Sequence, residues 1–374
     1  MSIPLTDLKL QYRSIKEEID SAIKNVVAEG DYILGKEVSI FEEELAKYIG
    51  AKFAIGVASG TDALVLALSA CDIKRGNEVI TTPFTFIATA EAICRVGAKP
   101  VFCDIEEDTY NIDPKKIELK ITKNTKAIIP VHLYGLPCNM DDILTIAKSY
   151  KLKIIEDCAQ AFGAEYRHKK VGVWGDCGCF SFFPAKTLGA FGDGGMVVTM
   201  GEGIAQKIKM LRNHGSTNKY YYSLHGFNSR LDTLQAAILR VKLRHIDNWI
   251  ERRRENALYY NNLLTGKSIL TPPYDLFNSN TLYKHTFNYY TIRLDSKRDF
   301  IQQYLKDKGI YSAVYYPLSL HLQDVYKDLG YRWGDFPVAE EMQNKVLSLP
   351  MFPELTHAQI ENIVEVIKEA LRDD

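Results

Sequence analysis

One lysine in the middle of this chain stands between an apolar strand pattern and a glycine-rich turn. Lys186 follows the stretch Cys179–Ala185, and the turn Gly192-Asp193-Gly194-Gly195 comes shortly after it. Apolar surroundings lower the pKa of a lysine and favour the neutral amine, which condenses with carbonyl groups to form Schiff bases. Lys186 is therefore the candidate nucleophile. The alternative is a surface lysine beside a turn, because most lysines are solvated.

A carboxylate and a helix entry could complete such a site. Asp157 ends the apolar run that starts at Lys153, at the carboxyl edge of a predicted sheet, where open α/β folds bind ligands. In a pyridoxal enzyme a carboxylate keeps the pyridine nitrogen protonated, although Asp157 could equally cap the next turn. Ser59-Gly60-Thr61 opens an apolar helix, and N–H groups at a helix start bind anions. An ordinary helix cap would explain these residues as well.

The elements that must position these residues alternate between short apolar runs and helical patterns, which is typical of a mainly parallel sheet covered by helices. The predicted strands are Phe53–Ala58, Glu78–Thr82, Pro100–Asp104, Lys126–His132, Lys153–Glu156, Gly178–Phe182 and Gly195–Thr199. The later predicted elements are a helix over Glu202–Asn213, one or two helices over Leu231–Leu264, a strand over Asn288–Arg293, and helices over Arg298–Lys308 and Ala358–Leu371. The sequence thus predicts a large α/β domain over residues 1–246 and a smaller α/β domain over residues 247–374. Between them, His214–Ser229 has no clear period, and such long loops are usually functional.

Composition narrows the class of protein. The 374 residues include 46 Lys and Arg against 47 Asp and Glu, so a net charge of -1 gives no basic field for nucleic acid or anionic lipid. The 7 cysteines are odd in number and mostly lie in apolar stretches, which favours a reducing cytoplasm. Cys177 and Cys179 lack the further ligands of a zinc site, and we predict no metal. No apolar run is long enough for a membrane span, and no signal peptide is expected.

Together these motifs resemble the DegT-type nucleotide-sugar aminotransferases, which belong to the aspartate-aminotransferase-like fold type I and use pyridoxal 5'-phosphate. The resemblance covers nearly the whole chain. It implies that Lys186 is the covalent anchor of the cofactor. It also implies the following cofactor contacts: Asp157 on the pyridine nitrogen, Gln160 near the ring hydroxyl, Gly60, Thr61 and Ser181 at the phosphate, and Phe86 and Ala159 against the two ring faces. Family members are dimers that share active sites, and Asn228 matches an asparagine that reaches the phosphate of the partner chain.

The resemblance also implies a substrate. The stretch from Leu211 to Arg230 is closer to members that act on 3-keto sugars than to those that act on 4-keto sugars, and Tyr315–His321 is similar to the segment that borders the substrate. The candidate substrate-binding residues are Lys219, Tyr221, His225, Arg230, Tyr316 and His321. The expected reaction moves an amino group from L-glutamate to a dTDP-3-keto-6-deoxyhexose, giving the 3-amino-3,6-dideoxy sugar. UDP-linked 3-keto uronic acids and 4-keto hexoses are the alternatives.

Three other classes of protein fit these residues less well. Pyridoxal-dependent sugar dehydratases carry histidine in place of Lys186, so the lysine favours transamination. A non-catalytic regulatory or sugar-binding protein would not need Asp157, Gln160, Ser181 and Lys186 together. A Rossmann-type oxidoreductase is disfavoured because no G-x-G-x-x-G motif follows the first strand.

Overall fold

The structure is a computed structural model that describes residues 2–218, 220–264, 269–272 and 282–372. Its α-helices are α1 Leu8–Ser14, α2 Lys16–Glu29, α3 Lys36–Ile49, α4 Gly60–Ala70, α5 Ala88–Arg95, α6 Pro114–Ile117, α7 Met140–Tyr150, α8 Glu202–Leu211, α9 Thr233–Leu263, α10 Arg298–Asp307, α11 Pro337–Lys345 and α12 His357–Arg372. Its strands are β1 Phe53–Val57, β2 Glu78–Thr81, β3 Lys99–Phe102, β4 Thr125–Ile128, β5 Lys153–Asp157, β6 Glu165–Tyr166, β7 Lys169–Lys170, β8 Cys177–Ser181, β9 Gly195–Thr199, β10 Ser216–Asn218, β11 Tyr221–Tyr222, β12 Ile269–Leu270, β13 Tyr283–Lys284, β14 Tyr290–Leu294 and β15 Val346–Leu349. Among these described residues, no helix combines the length and apolar character needed to cross a membrane.

Seven strands form the central sheet in the order β1-β9-β8-β5-β4-β2-β3. Strand β9 runs antiparallel to both neighbours, and the other pairs are parallel. Helices such as α4, which is apolar on every side, cover the sheet, and this explains why its strands are continuous apolar runs. The seven predicted strands coincide with these seven strands to within a few residues at each end. The predicted mainly parallel α/β architecture is therefore confirmed.

Three N-terminal helices and the long helix α9 form a layer on one side of this sheet. Ile19 of α2 and Phe41 and Leu45 of α3 are fully buried in the same core as the middle of α9. At 1.5 Å per residue, the 31 residues of α9 extend for about 46 Å. The sequence analysis did not identify helices α1 to α3, although it predicted the region of α9 correctly.

A smaller sheet of strands β12, β14 and β15 packs against α10, α12 and the end of α9. Ile3, at the start of the chain, joins this core and lies beside Ile310. The predicted boundary between residues 246 and 247 falls inside α9, which contributes Ile250 to the first core and Tyr260 to the second. The division into two domains therefore stays a prediction.

The region between α8 and α9 contains more order than the sequence analysis expected. The stretch His214–Ser229 has no hydrophobic period, yet it contains a small hairpin of β10 and β11. The side chains that the structure describes in this stretch are largely exposed, and Tyr221 is 73% accessible. Because this hairpin buries little apolar surface, hydrophobic patterning could not predict it.

Candidate active site

The carboxyl ends of the parallel strands border a cavity of about 410 Å³. It lies where β5 ends at Asp157 and β8 ends at Ser181, at the edge of the sheet where α/β folds bind ligands. The lining residues are Ser59, Gly60, Thr61, Leu64, Thr85, Phe86, Ala88, Thr89, Val131, Asp157, Ala159, Gln160, Ser181, Phe183, Lys186, Asp193, Gly194, Tyr289 and Tyr315. The cavity thus brings together eight residues that the sequence analysis assigned to the cofactor: Gly60, Thr61, Phe86, Asp157, Ala159, Gln160, Ser181 and Lys186.

Lys186 places its amine in this cavity on a tight turn after β8. The Lys186 N–H donates to the Phe183 carbonyl at 2.8 Å, and the Lys186 Nζ lies 6.0 Å from the centre of the Tyr289 ring. Burial lowers the pKa of Lys186 to about 8, while the nearby Asp157 carboxylate acts in the opposite direction. Within the described part of the chain, the Lys186 side chain has no hydrogen-bond partner. An amine of this kind is available to react with a carbonyl group.

Asp157 is a buried carboxylate with two fixed donors. Its Oδ2 accepts a hydrogen bond from the Thr89 hydroxyl at 2.8 Å, and its Oδ1 accepts one from the Ala159 N–H at 3.1 Å. Burial raises the pKa of Asp157, and the hydrogen bonds from Thr89 and Ala159 partly oppose this. A cationic ring nitrogen placed in the cavity would stabilise the ionised form. Thr89 was missed by the sequence analysis, because only the fold brings α5 to the end of β5.

The start of α4 and Ser181 form one corner of the cavity, which we call the phosphate corner after the role expected of it. The Ser59 hydroxyl caps the helix by accepting from the Asp62 N–H at 3.1 Å, which confirms the predicted helix entry. A Cβ added to Gly60 would lie 2.6 Å from the Cβ of Ser181, so the backbone of Gly60 and the side chain of Ser181 approach as only glycine allows. A helix N-terminus beside a hydroxyl suits a phosphate.

Gln160 connects the cavity to a cluster of tyrosines. Its Oε1 accepts from the Tyr134 N–H at 2.8 Å, and its Nε2 donates to the Tyr316 hydroxyl at 2.8 Å. Tyr316 packs against Phe86, with ring centres 6.3 Å apart. Tyr315 and Tyr289, whose ring centres are 4.3 Å apart, are the tyrosines that line the cavity. Tyr316 was among the predicted substrate residues, whereas Tyr289 was not. Tyr289 is the residue directly before β14, and no local sequence motif marks it as a site residue.

Other predicted substrate residues lie outside the cavity of this chain. His321 is fully buried, its Nε2 is 2.9 Å from Glu340 Oε1, and its ring packs on Phe336, so the structure does not place it at the cavity. Arg230 donates to Asn213 Oδ1 at 3.2 Å. Tyr221, His225 and Asn228 are exposed side chains between α8 and α9, and Lys219 lies outside the described residues.

One buried group has residue types that could ligate a metal, namely His132, Glu156 and Cys158. Glu156 already accepts three backbone N–H groups, from Gly172 at 2.7 Å, Trp174 at 2.7 Å and Gly175 at 2.8 Å. His132 Nδ1 accepts the Cys138 N–H at 3.0 Å, so Nε2 carries the proton that faces Glu156 at 3.1 Å. With these partners the group is a satisfied structural network.

An accessible amine, a buried carboxylate facing it, and the phosphate corner at the edge of a mainly parallel sheet are the features expected of a pyridoxal-phosphate enzyme of fold type I. The chain belongs to the DegT/DnrJ/EryC1/StrS aminotransferase family, whose model matches residues 13–368. This family depends on pyridoxal phosphate, and solved relatives hold its amine form, PMP. The chain is therefore an aminotransferase, as the resemblance in its sequence implied.

Relatives match along the whole chain. A protein named "Pleiotropic regulatory protein" from Geobacillus stearothermophilus is 48% identical, with 100% of this chain and 99% of the relative covered. A dTDP-3-amino-3,6-dideoxy-alpha-D-galactopyranose transaminase from Aneurinibacillus thermoaerophilus is 44% identical, with 98% of each covered. A UDP-2-acetamido-2-deoxy-3-oxo-D-glucuronate aminotransferase from Pseudomonas aeruginosa is 43% identical, with 96% of this chain and 98% of the relative covered.

The structure also superposes on solved aminotransferases. The crystal structure of DesV from S. venezuelae, determined in complex with a ketimine intermediate, has a TM-score of 0.95 and 40% sequence identity, and all of both chains is covered. Because the superposition covers the full length of both chains, it includes the central sheet and the smaller C-terminal sheet as well as the cavity. The fold type I assignment is thereby confirmed.

Proposed function

We propose that this aminotransferase moves an amino group from L-glutamate to C3 of a nucleotide-linked 3-keto sugar, with a dTDP-3-keto-6-deoxyhexose as the best-supported substrate. The observation that carries the proposal is the cavity in which Lys186 faces Asp157 beside the phosphate corner at Gly60. The two relatives named for sugar substrates differ in nucleotide, dTDP or UDP, but both names place the amino or oxo group at position 3.

The residues present fit pyridoxal phosphate, and we assign their roles accordingly. When bound, this cofactor supplies an electron sink that stabilises a carbanion formed at the substrate carbon. Gly60, Thr61 and Ser181 would hold its phosphate, and Asp157 would hold its ring nitrogen. Lys186 would anchor it covalently, and the same amine, when not bound to the cofactor, would remove a proton from the substrate carbon and return it. The lowered pKa of Lys186, about 8, favours this base role near neutral pH.

The walls of the cavity support a neutral deoxy sugar over a uronic acid. Leu64, Phe86, Phe183 and Tyr315 offer apolar or aromatic surface. Among the described lining residues Lys186 is the sole cation, and Asp157 and Asp193 are acidic. A methyl group at C6 suits such surroundings better than a carboxylate, which would need its own cationic partner.

We further propose that two copies of the chain share their active sites. Phe86 and Phe183 line the cavity and remain 55% and 54% exposed, so a second surface could cover them. Asn228 and Arg230 are not among the residues that line the cavity of their own chain, and in a shared site Asn228 would reach the partner's phosphate and Arg230 the carboxylate of glutamate. Lys219, Tyr221 and His225 are proposed substrate contacts in the same way.

We also propose a cytoplasmic location, because the unpaired thiols among the described residues fit a reducing cytoplasm.

A regulatory role is the second candidate, because the 48% identical relative is named a pleiotropic regulatory protein. A protein that only binds a sugar has no need of an amine with a lowered pKa opposite a buried carboxylate. The arrangement of Lys186 and Asp157 therefore favours catalysis.

The proposal is tested by incubating the purified protein with pyridoxal phosphate, L-glutamate and a panel of dTDP- and UDP-linked 3-keto and 4-keto hexoses and 3-keto uronic acids. Mass spectrometry and proton NMR should find the 3-amino product from the dTDP-linked 3-keto-6-deoxyhexose. Borohydride reduction followed by peptide mapping should place the cofactor on Lys186, and Lys186→Ala should abolish turnover. Turnover retained by Lys186→Ala, or a reduced cofactor on another lysine, would refute the assignment of Lys186.

A further inference from the structure

A second lysine is buried directly beneath the turn that carries Lys186. Lys242 of α9 is 0% exposed, and its Nζ donates to the Gly189 carbonyl at 2.6 Å. The same Nζ lies 4.5 Å from the centre of the Phe191 ring. Among the described residues no carboxylate lies within ion-pair distance of it, and the charge of Glu354 acts on it only from farther away. Gly189 is three residues beyond Lys186, and neither Gly189 nor Lys242 is among the residues that line the cavity.

The Lys186 turn is held at alternate residues by side chains from other elements. The N–H and hydroxyl of Thr187 both donate to Asn288 Oδ1, at 3.2 and 3.3 Å. Lys242 holds Gly189, and the N–H of Phe191 donates to Gln235 Oε1 at 2.8 Å. Gln235 and Lys242 are seven residues apart on α9, and therefore lie on the same face of that helix. Helix α9 thus holds the turn at two points.

Stability alone does not explain a lysine in this position. A buried ammonium group whose partner is a neutral carbonyl loses more hydration than one hydrogen bond returns, and apolar residues of similar volume often serve a core equally well. Methionine would fill the same volume without that loss. A charge-assisted bond does, however, fix its acceptor more firmly than a neutral bond does.

We propose that Lys242 is a positioning residue whose ammonium group fixes the Gly189 carbonyl and thereby holds Lys186 in the cavity. This inference rests on the proposed role of Lys186 as the anchor of the cofactor. Lys242 itself does not line the cavity, so it acts through the turn and contacts neither the cofactor nor the substrate.

The first test measures the turn in the protein without cofactor. Hydrogen exchange of the backbone amides in residues 183–191 should be at least about tenfold faster in Lys242→Met than in the wild type, because the turn loses its firmest anchor. The free energy of unfolding in urea should change little, since removal of the buried charge offsets the hydrogen bond that the Gly189 carbonyl loses. Arg244→Met is the matched control: it removes a positive charge from the same helix, where Arg244 pairs with Glu18 at 2.8 Å, and exchange in the turn should stay as in the wild type.

The second test measures the consequence for the site. Lys242→Met should bind pyridoxal phosphate about tenfold more weakly, measured by fluorescence quenching, and should shift the pH titration of the bound cofactor's absorbance band. Lys242→Gln, which keeps a donor without the charge, serves if the methionine variant does not fold. If Lys242→Met leaves both the amide exchange of the turn and the cofactor affinity unchanged, the proposal is overturned. It is also overturned if the variant loses stability while the pH titration of the cofactor's absorbance band stays as in the wild type. If borohydride does not label Lys186 in the wild type, the function assigned to Lys186 fails, whereas the exchange experiment still decides whether Lys242 holds the turn.

Discussion

Glu156 and Asp157 are neighbours at the end of strand β5, and they face two different environments. Glu156 points into the core, where three backbone N–H groups and the ring of His132 occupy its oxygens. Asp157 points into the cavity, where Thr89 and Ala159 supply one donor each. The two carboxylates belong to the same strand and are similarly buried, yet only one of them keeps acceptor capacity for a ligand.

The comparison shows how function can be separated from structure in a buried carboxylate. A group whose hydrogen bonds are complete within the protein stabilises the fold, and its loss leaves donors without partners. A buried carboxylate that still has unfilled acceptor capacity, and whose pKa is raised by burial, lowers the stability of the folded state as long as no ligand is bound. Glu156 belongs to the first kind and Asp157 to the second.

The largest expected effect is the loss of activity when the carboxylate that faces the cavity, Asp157, is replaced by an amide. Asp157→Asn should lower transamination by roughly a thousandfold, since the amide cannot keep a ring nitrogen protonated. The free energy of unfolding should stay equal or rise, because burial raises the pKa of Asp157 and its charge disfavours the folded state. Steady-state kinetics and urea unfolding measure the two quantities. Activity within tenfold of the wild type would show that Asp157 does not have this role.

The same change one residue earlier should have the opposite outcome. Glu156→Gln should lower the free energy of unfolding by about 3 kcal/mol. The NH₂ group of the new amide must face a backbone N–H group that donates to the carboxylate in the wild type, so that two donors oppose each other. Turnover per folded molecule should change little. Urea unfolding beside a count of active sites separates these effects, and Asp157→Asn is the matched control. A stable Glu156→Gln variant without activity would reverse the interpretation of both residues.

The amine opposite Asp157 should also lower the stability of the empty protein, in a manner that depends on pH. Burial lowers the pKa of Lys186 from 10.5 to about 8, so between these values the unfolded chain binds a proton that the folded chain has released. The wild type should therefore gain stability as pH rises through this window. Without cofactor, Lys186→Met should be more stable than the wild type by about 2 kcal/mol at pH 7. This value is smaller than the full free energy of the pKa shift, because the Lys186 side chain is partly exposed and solvent screens its charge. The difference should vanish near pH 10.5 in urea titrations, and a constant difference would argue against a charged Lys186 at pH 7.

The smallest expected effect concerns the phosphate corner. Gly60→Ala should weaken the binding of pyridoxal phosphate about tenfold, because the new methyl group requires Ser181 to move. Gly203→Ala in α8 is the control, since its added Cβ meets no atom within 4 Å and cofactor affinity should not change. Fluorescence titration with the cofactor measures both. Equal affinities in the two variants would remove Gly60 and Ser181 from the proposed site.

Much of this site could be predicted because its signals are local. The pattern of strands, the entry of α4 at Ser59-Gly60-Thr61 and the lysine after β8 can each be found within a few residues. Parallel strands then bring their carboxyl ends to one edge, so Asp157, Ser181 and Lys186 had to lie near one another. The resemblance to a known family added the role of each residue.

What the sequence left open depends on contacts between distant residues. Thr89 meets Asp157 across 68 positions, and Lys242 meets Gly189 across 53. His321 was predicted at the substrate, yet packing of α11 places Glu340 beside it in the core, while Tyr289 enters the cavity instead. Hydrophobic periodicity identifies the buried face of an element but not its neighbours.

The sequence by itself determined the fold class and indicated the candidate lysine and the residues at the strand ends, because short-range patterns specify strands, turns and helix starts. Only the tertiary structure decided which of two adjacent carboxylates has completed its hydrogen bonds and which distant side chains, such as Thr89, contact the other one. The physical reason is that burial and hydrogen-bond satisfaction, which set a pKa, depend on every element packed around a side chain.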